Sequence, residues 1–422
     1  MRHATAGLLV LLPAAPWATA DGRRAVSLEL RSAAEVVAEI EVEDKTPLDA
    51  PFTVTAMVLV VDGKPNCQIL LLPGSGRERY DALVGPLPPG RHVLEVAGSD
   101  LWPADPRIID TRLVARAVTV ADPDYDRLRF APRLQLRADT VGEATDVPLL
   151  SYVEEDAVSR GRRFRYTVVF SNEDGGTATR ALMARWGRAA DIELAYEVVV
   201  APDGSLVSEH FQGPDHDLRP FKGKKMRDHP QLLVATLNNV FLDRGRGVAL
   251  VAPVPITVRP DAGTRESIMD AHPWAYRAMA KELEREGKIA PGRGQKRDMV
   301  IDDPRRYLYL EARLRLEGAA VAARATLADG VSRTSHEGDA RLAIERDGWV
   351  RTAIRLGAAE RALASVAWEC LPRGDNLDEA RCQIEATRAF RLDDSYRVGP
   401  NLVEPTLLQL RGGESGSPKP AP

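Results

Sequence analysis

In DIELAYEVVVAPDGSLVSEHF (191–211) acidic groups recur at alternate positions: Asp191, Glu193 and, beyond Ala195, Glu197. A strand projects every second residue to the same side. The three carboxylates are therefore expected on one face and Ile192, Leu194, Tyr196, Val198 and Val200 on the other. Asp203 and Gly204 have the composition of a two-residue hairpin turn, and the register it sets puts Glu197 opposite His210 and Asp191 opposite His216. Acid and imidazole groups then share a face. Asp191, Glu193 and His210 are the expected catalytic residues, because paired carboxylates can divide general acid and base roles between them. The same three are the expected ligands of a divalent cation such as Ca or Zn. Around them, Asp174, Arg185, Trp186, Arg188, His216 and His229 are the expected binding residues, with Trp186 a platform for stacking a sugar. The grouping depends on the turn, since a slip of one residue turns the returning strand over. The same residues also describe a solvated sheet face, in which Glu197 with His210 and Arg188 with Asp191 are ordinary pairs worth about 0.2–1 kcal/mol each.

Two polar clusters flank this hairpin. FSNEDGGTATR (170–180) puts Asn172, Glu173 and Asp174 ahead of a Gly pair at the end of a strand, and RDHPQLLVATLNN (227–239) puts Asn238 and Asn239 after one. Strand ends and loops on a rigid sandwich are common places for a site.

The elements that must position these groups are mostly strands. Period-two runs such as VVAEIEVED, FTVTAMVLVV and RHVLEVAG, punctuated by DGKP and PLPPG, indicate an antiparallel sandwich over residues 21–123. VGPLPPGRHVLEVAGSD is similar to the loop and strand near the end of many immunoglobulin-like and fibronectin-like modules. A polar linker follows, then a central β domain (124–260), a helical connector (261–292) and a C-terminal β-rich region (293–412). The fold class is thus mostly β: an immunoglobulin-like sandwich, then a larger sandwich or jelly-roll-like region, with one connecting helix. That helix is expected over Pro273–Glu286, with Tyr276, Met279, Ala280 and Leu283 as its buried stripe and Lys281, Glu282, Glu284 and Arg285 in water. YLYLEARLRLEG reads as a half-buried strand, ARLAIERDGWVRTAIRL as a hairpin turning at Asp347 and Gly348, and GGESGSPKPAP (412–422) as the tail, disordered over 413–422.

At 422 residues the chain is too long for one ordinary core. With 28% charged residues and a net charge of -4 it carries no polybasic footprint, which argues against nucleic acid as a partner. MRHATAGLLVLLPAAPWATA has the basic start, short apolar stretch and small residues of a signal peptide cleaved after residue 20. No later segment approaches the roughly 20 apolar residues of a membrane helix. A secreted or periplasmic location follows, and in an oxidising compartment Cys370 and Cys382 are expected to form a disulfide. Cys67 is left over, as a buried thiol.

FAPRLQLRADTVGEATDVPLLSYVE, GRAADIELAYEVVVAPDGSLVSEHFQGPDH and HPQLLVATLNN, within about residues 130–240, together resemble the vacuolar protein sorting-associated protein sixty-two-like family. Members of that family carry an APV strand, a G-D-W-E strand motif followed by a hairpin, and a later P-x-V-Y-V-A strand. The resemblance matches Asp191 and Glu193 to the motif's acids, with Ile192 in the place of its Trp, and implies a β-rich architecture without a defined activity. The expected function is that of an exported binding protein for a carbohydrate or other polar envelope component, with a divalent cation. The alternatives are a hydrolase or lyase acting on an extracellular polymer through the carboxylate and His residues, and a structural surface protein with no site.

Overall fold

The computed structural model describes residues 24–45, 47, 53–72, 76–102, 108–289, 297–357, 362–373 and 379–421. The expected export signal lies outside them. Strands make up 52% of the chain and helices 12%, in several sandwiched sheets, so the expected β-sandwich-rich class is what forms. No described helix is long and apolar enough to cross a membrane.

In the first sandwich, the sheet Gly76–Leu87, Ala34–Asp44, Ile108–Val118 faces a larger one begun by Arg24–Leu30, Gly90–Gly98, Thr55–Val61 and Lys64–Leu71. Alternation along Ala34–Asp44 buries Val36, Ala38, Ile40 and Val42. It turns Glu39 and Glu43 outward, to Arg79 and Arg77 at 3.0 and 3.1 Å. The larger sheet does not stop at the expected boundary near residue 123. Lys64–Leu71 pairs with Ala249–Val251, and the sheet continues through Arg133–Leu136 and His229–Val234. One apolar core accordingly runs from Leu59 and Val96 to Phe164, Tyr196 and Phe241.

The six-stranded sheet that carries the candidate site has the order Leu218–Pro220, Leu206–Gln212, Asp191–Val200, Gly161–Phe170, Pro148–Val158, Ile256–Val258. A second core lies between it and the helix Trp274–Arg285. Pro273 caps that helix and Gly287 follows it at φ 71°. Tyr276, Met279, Ala280 and Leu283 are buried as the spacing predicts, but so is Glu282, which the sequence reading put in water. It is drawn inward because the Asp146 N–H donates to its Oε1 at 2.8 Å.

The far side of this core is the strand Tyr307–Glu317, and here the half-buried expectation fails for its first half. Tyr307, Tyr309 and Glu311 are buried under the helix while Leu308, Leu310 and Ala312 enter the C-terminal core. On that face only Arg313, Arg315 and Glu317 reach solvent. Gly348–Arg355 pairs with this strand, not with 340–346, so the hairpin at Asp347 and Gly348 does not form; Ile344 bridges Val321 instead. The C-terminal tail is also ordered. Ser415–Gly416 pairs with Glu369 and Trp368, and Glu404 N donates to Lys419 O at 2.7 Å. A segment without apolar side chains can be held on a sheet edge by main-chain bonds, which composition does not register.

Cys370 and Cys382 form the expected disulfide, 12 residues apart, linking Leu363–Pro372 to Arg381–Phe390 across the C-terminal sandwich. Changing both cysteines to Ala is expected to lower unfolding free energy by about 3 kcal/mol, from restored loop entropy in the unfolded chain. Urea denaturation of the double variant beside wild type checks this. Cys67 is free and buried, and burial pushes its thiol up to about 11, so it is protonated at neutral pH.

Candidate functional site

Two irregularities in neighbouring strands decide which acidic and imidazole groups meet. The first is in the hairpin. Its loop holds Pro202, Asp203 and Gly204, closed by Ala201 N to Ser205 O and Gly204 N to Ala201 O, both 2.9 Å, with Gly204 at φ 82°. Val200 pairs with Leu206 but Val199 with Ser208, so Val207 is an extra residue on the returning strand. A loop one residue longer than expected and a bulge cancel, and Glu197 still faces His210.

The second is in Asp191–Val200 itself. Tyr196 pairs with Tyr166 but Leu194 with Thr167, which leaves Ala195 as a bulge. A bulge of one residue exchanges the faces of everything beyond it. Asp191 and Glu193 therefore lie opposite Phe170 and Val168, on the inward side shared with Tyr196, while Glu197 lies opposite Arg165 on the outer side. His210, paired with Glu197 and Pro220, is on that outer side too. The expected trio of Asp191, Glu193 and His210 does not converge, either for catalysis or for a cation. Among the described residues no group of three His, Cys, Asp or Glu side chains is arranged to hold a metal ion.

What does converge is a different set. Asp191 is 1% exposed. Its Oδ2 accepts from Asn239 Nδ2 at 3.1 Å, and its carboxyl lies within hydrogen-bonding reach of Glu193. Burial, then the charge of Glu193, pushes Asp191 up to about 7 against the pull of Arg188. Burial and the charge of Asp191 likewise push Glu173 up to about 7, although Thr177 N donates to it at 2.9 Å. Burial raises Glu193 as well, opposed by Arg265. Three carboxyls thus compete to stay charged in one partly dry space.

This space opens to solvent at His216, whose side chain is 49% exposed. His216 meets Glu193, not Asp191 as the register predicted, with Nδ1 3.5 Å from Oε2. Gln212 Nε2 donates to Glu193 and lies 3.1 Å from His216 Nδ1. On the other ring nitrogen, Asn238 Oδ1 accepts from His216 Nε2 at 2.8 Å, while its amide donates to Gly175 O at 2.7 Å and Glu173 Oε1 at 2.9 Å. The mouth is therefore a ring of Glu193, Gln212, His216, Asn238 and Glu173. Its tight loop needs Gly176, at φ 97°, where a Cβ would sit 3.0 Å from the Asn238 side-chain amide and 3.2 Å from Glu173 Oε1.

Behind the mouth lies a second acidic box, joined to it through Asn239. The Asn239 amide also donates to Asn172 O at 3.0 Å and to Asp146 Oδ1 at 3.5 Å. Asp174 sits in this box, not at the mouth. Burial would raise it, but Lys288 at 2.6 Å holds it below the ordinary carboxylate range. Thr145 Oγ1 lies 2.7 Å from Asp174 and 3.0 Å from Glu286, the latter on the turn after the helix.

The remaining expected binding residues divide. Arg188 is buried beside Asp191, at 4.0 Å, with its Nε 3.0 Å from Glu266. Arg185 and Trp186 lie on the helix Thr179–Trp186, where Arg346 stacks 5.1 Å from the Trp186 ring. Thr179, Leu182, Met183 and Trp186 recur at helical spacing ahead of Gly187, a signal the sequence carries. His229 takes no part in the mouth. It is fully buried between Ala131 O and Glu35 Oε2, both 3.0 Å, and ties the first sandwich to the central region. Sequence reading missed Gln212, Asp146, Glu266, Arg265, Glu282 and Lys288, which are scattered along the chain and gather only in three dimensions.

No protein-family model and no curated protein matches the chain. Two solved structures show slight likeness. One is a Paenibacillus cycloisomaltooligosaccharide glucanotransferase complexed with cycloisomaltoheptaose, 10% identical over 55% of this chain and 40% of that one, at TM-score 0.17. The other is the M60 catalytic domain with the CBM51-1 and CBM51-2 domains from Clostridium perfringens ZmpB, 10% identical over 90% of this chain and 34% of that one, also at TM-score 0.17. The chain spans well under half the length of either, and neither likeness bears on function.

Proposed function

We propose that the chain is an exported binding protein that takes a hydroxyl-rich ligand of carbohydrate type, or a similar envelope component, at the mouth formed by Glu193, Gln212, His216 and Asn238. The observation that carries this reading is the gathering of these four side chains at the wet edge of a buried acid pair. Each is planar and offers two polar atoms, the form that engages neighbouring hydroxyls in pairs. The disulfide accords with an oxidising compartment. A divalent cation is not carried into the proposal, because the bulge at Ala195 separates His210 from both acids.

One observation favours a hydrolase or lyase as a second reading. Asp191, at about 7 beside Glu193, gives a carboxyl pair that shares a proton near neutral pH and so holds an acid and a base side by side. The two readings part on substitution. In calorimetric titration against a panel of polysaccharides, Glu193→Gln and His216→Ala are each expected to weaken binding by about tenfold or more. Glu197→Gln, on the outer face, is expected to leave it unchanged. Wild-type affinity in both mouth variants would remove the proposal. Release of shortened products by wild type, stopped by Asp191→Asn while binding persists, would establish the enzyme.

A further inference from the structure

Most guanidinium groups near the six-stranded sheet have a carboxylate partner: Arg127 with Glu155, Arg129 with Asp228, Arg163 with Asp156. Arg185, Arg265 and Arg346 are different. None of them makes an ion pair among the described residues. Arg346 NH2 donates to Arg185 O at 2.7 Å, Arg265 NH2 donates to Ile192 O at 2.6 Å, and Arg185 NH2 donates to Arg341 O. Arg185 Nε is buried with no partner. Glu266, beside them, is already held by Arg188 at 3.0 Å, and the charges of Tyr152, Glu266 and Glu193 hold Arg265 above its ordinary range although burial opposes them.

The charges of the neighbouring arginines act on Arg346. Burial, with the charges of Arg188, Arg265 and Arg185, pulls Arg346 down to about 10 although Glu266 opposes it. The cluster is also partly open. Arg265 is exposed, and Arg185, Arg346 and Trp186 are half-buried. Its loop is braced by Trp349, whose Nε1 donates to Asp261 O at 2.9 Å. Like charges gathered with spare N–H groups are relieved by an anion, and the guanidinium fork matches a planar or tetrahedral oxyanion with two parallel hydrogen bonds. The cluster adjoins the mouth: Arg265 bonds the carbonyl of Ile192, the neighbour of Glu193, and its charge acts on Glu193.

We infer that Arg185, Arg265 and Arg346 form an oxyanion subsite next to the Glu193 mouth, so that the ligand is an acidic saccharide whose anionic group is held by these guanidiniums. This rests on the binding reading above. Trp186, under Arg346, then serves to hold the cation in place instead of stacking on a sugar. Arg188, committed to Glu266, supports the subsite from beneath.

The test is calorimetric titration of the whole protein with four probes: oligogalacturonate, a sulfated dextran oligosaccharide, neutral dextran oligosaccharide of equal length, and inorganic sulfate. Binding to the acidic probes is expected to be about tenfold or more tighter than to the neutral one, and to weaken with added salt. The carboxylate and sulfate arms show which oxyanion the subsite takes. Arg265→Gln and Arg346→Gln are each expected to remove that preference while leaving neutral binding in place. Arg265 is exposed, so its variant tests the point even where Arg346→Gln unfolds. Equal affinity for acidic and neutral probes, or a preference that survives both variants, overturns the subsite and leaves the binding reading intact. Sulfate binding sensitive to Arg265→Gln, without binding of any saccharide, supports the subsite and overturns the carbohydrate reading. Binding of none of the four overturns both.

Discussion

Replacing Arg351 with Met is expected to lower unfolding free energy by about 3–5 kcal/mol, the cost of leaving a buried carboxylate without its cation. Arg351 is fully buried. Its Nε donates to Glu311 Oε1 at 2.8 Å, NH2 bonds Asp270 Oδ2 at 2.8 Å, and a third N–H reaches the Tyr276 hydroxyl. One side chain thereby joins the helix Trp274–Arg285 and the short helix Ser267–Ala271 before it to the strand Tyr307–Glu317. Its stem also seats the end of the helix Thr179–Trp186, since a Cβ on Gly187 would lie 2.6 Å from Arg351 Cγ. Arg388, at 3.0 Å from Asp270 and 3.1 Å from Glu311, is one-third exposed and cannot replace it. The energy sits in the uncompensated acids more than in the lost bonds. Adding Glu311→Gln to Arg351→Met should therefore recover part of the loss. Equilibrium urea unfolding of the two variants measures both effects, and a loss under 1 kcal/mol for Arg351→Met would show that solvent reaches the cluster on substitution.

The second large effect is in pH. Burial, then the charge of Glu286, pushes Glu282 up to about 8, and burial with Asp174 and Glu282 pushes Asp146 up to about 8. Their ordinary values are 4.5 and 3.8. Between these values and about 8 the folded protein holds protons that the unfolded chain has released. Stability then falls as pH rises, by up to about 1.4 kcal/mol per pH unit for each group, and levels off above their folded values. Glu282→Gln keeps the acceptor for Asp146 N and removes the titration. The variant is expected to match wild type within about 1 kcal/mol at pH 5 and to exceed it by about 1–3 kcal/mol at pH 8. Urea unfolding at pH 5, 6, 7 and 8 reads the difference. A gap between the two proteins that does not change with pH would mean that Glu282 is charged throughout, matched by Arg285.

Much of the scaffold was legible in the sequence because it rests on local periodicity. The strand pattern of residues 34–44, the stripe and caps of the helix Trp274–Arg285, and the spacing of Cys370 and Cys382 each follow from neighbours along the chain. The pairing of Glu197 with His210 was legible too, through the positions of Asp203 and Gly204. It survived a wrong loop length only because Val207 is bulged.

The site was legible in composition and not in arrangement. Asn172, Glu173, Asp174, Asn238 and Asn239 stood out as clusters at strand ends, and the structure does gather them. Which of them reach water was not readable. Asp174 is taken up by Lys288 from beyond the helix, and Glu282 is drawn inside by Thr145 and Asp146, partners more than a hundred residues away in sequence.

By itself the sequence determined a β-rich chain, one amphipathic helix, a disulfide and an acidic strand next to a tight turn. These are fixed by residue type and by spacings of two, three and four. Only the tertiary structure decided that Asp191 and Glu193 face inward with Glu173 while His210 faces out, and that His216 closes the mouth. The reason is the bulge at Ala195. Nothing in a short polar and apolar alternation marks where one residue will be left unpaired, because that shows only in the pairing of the strand with Gly161–Phe170, a partner the alternation does not name.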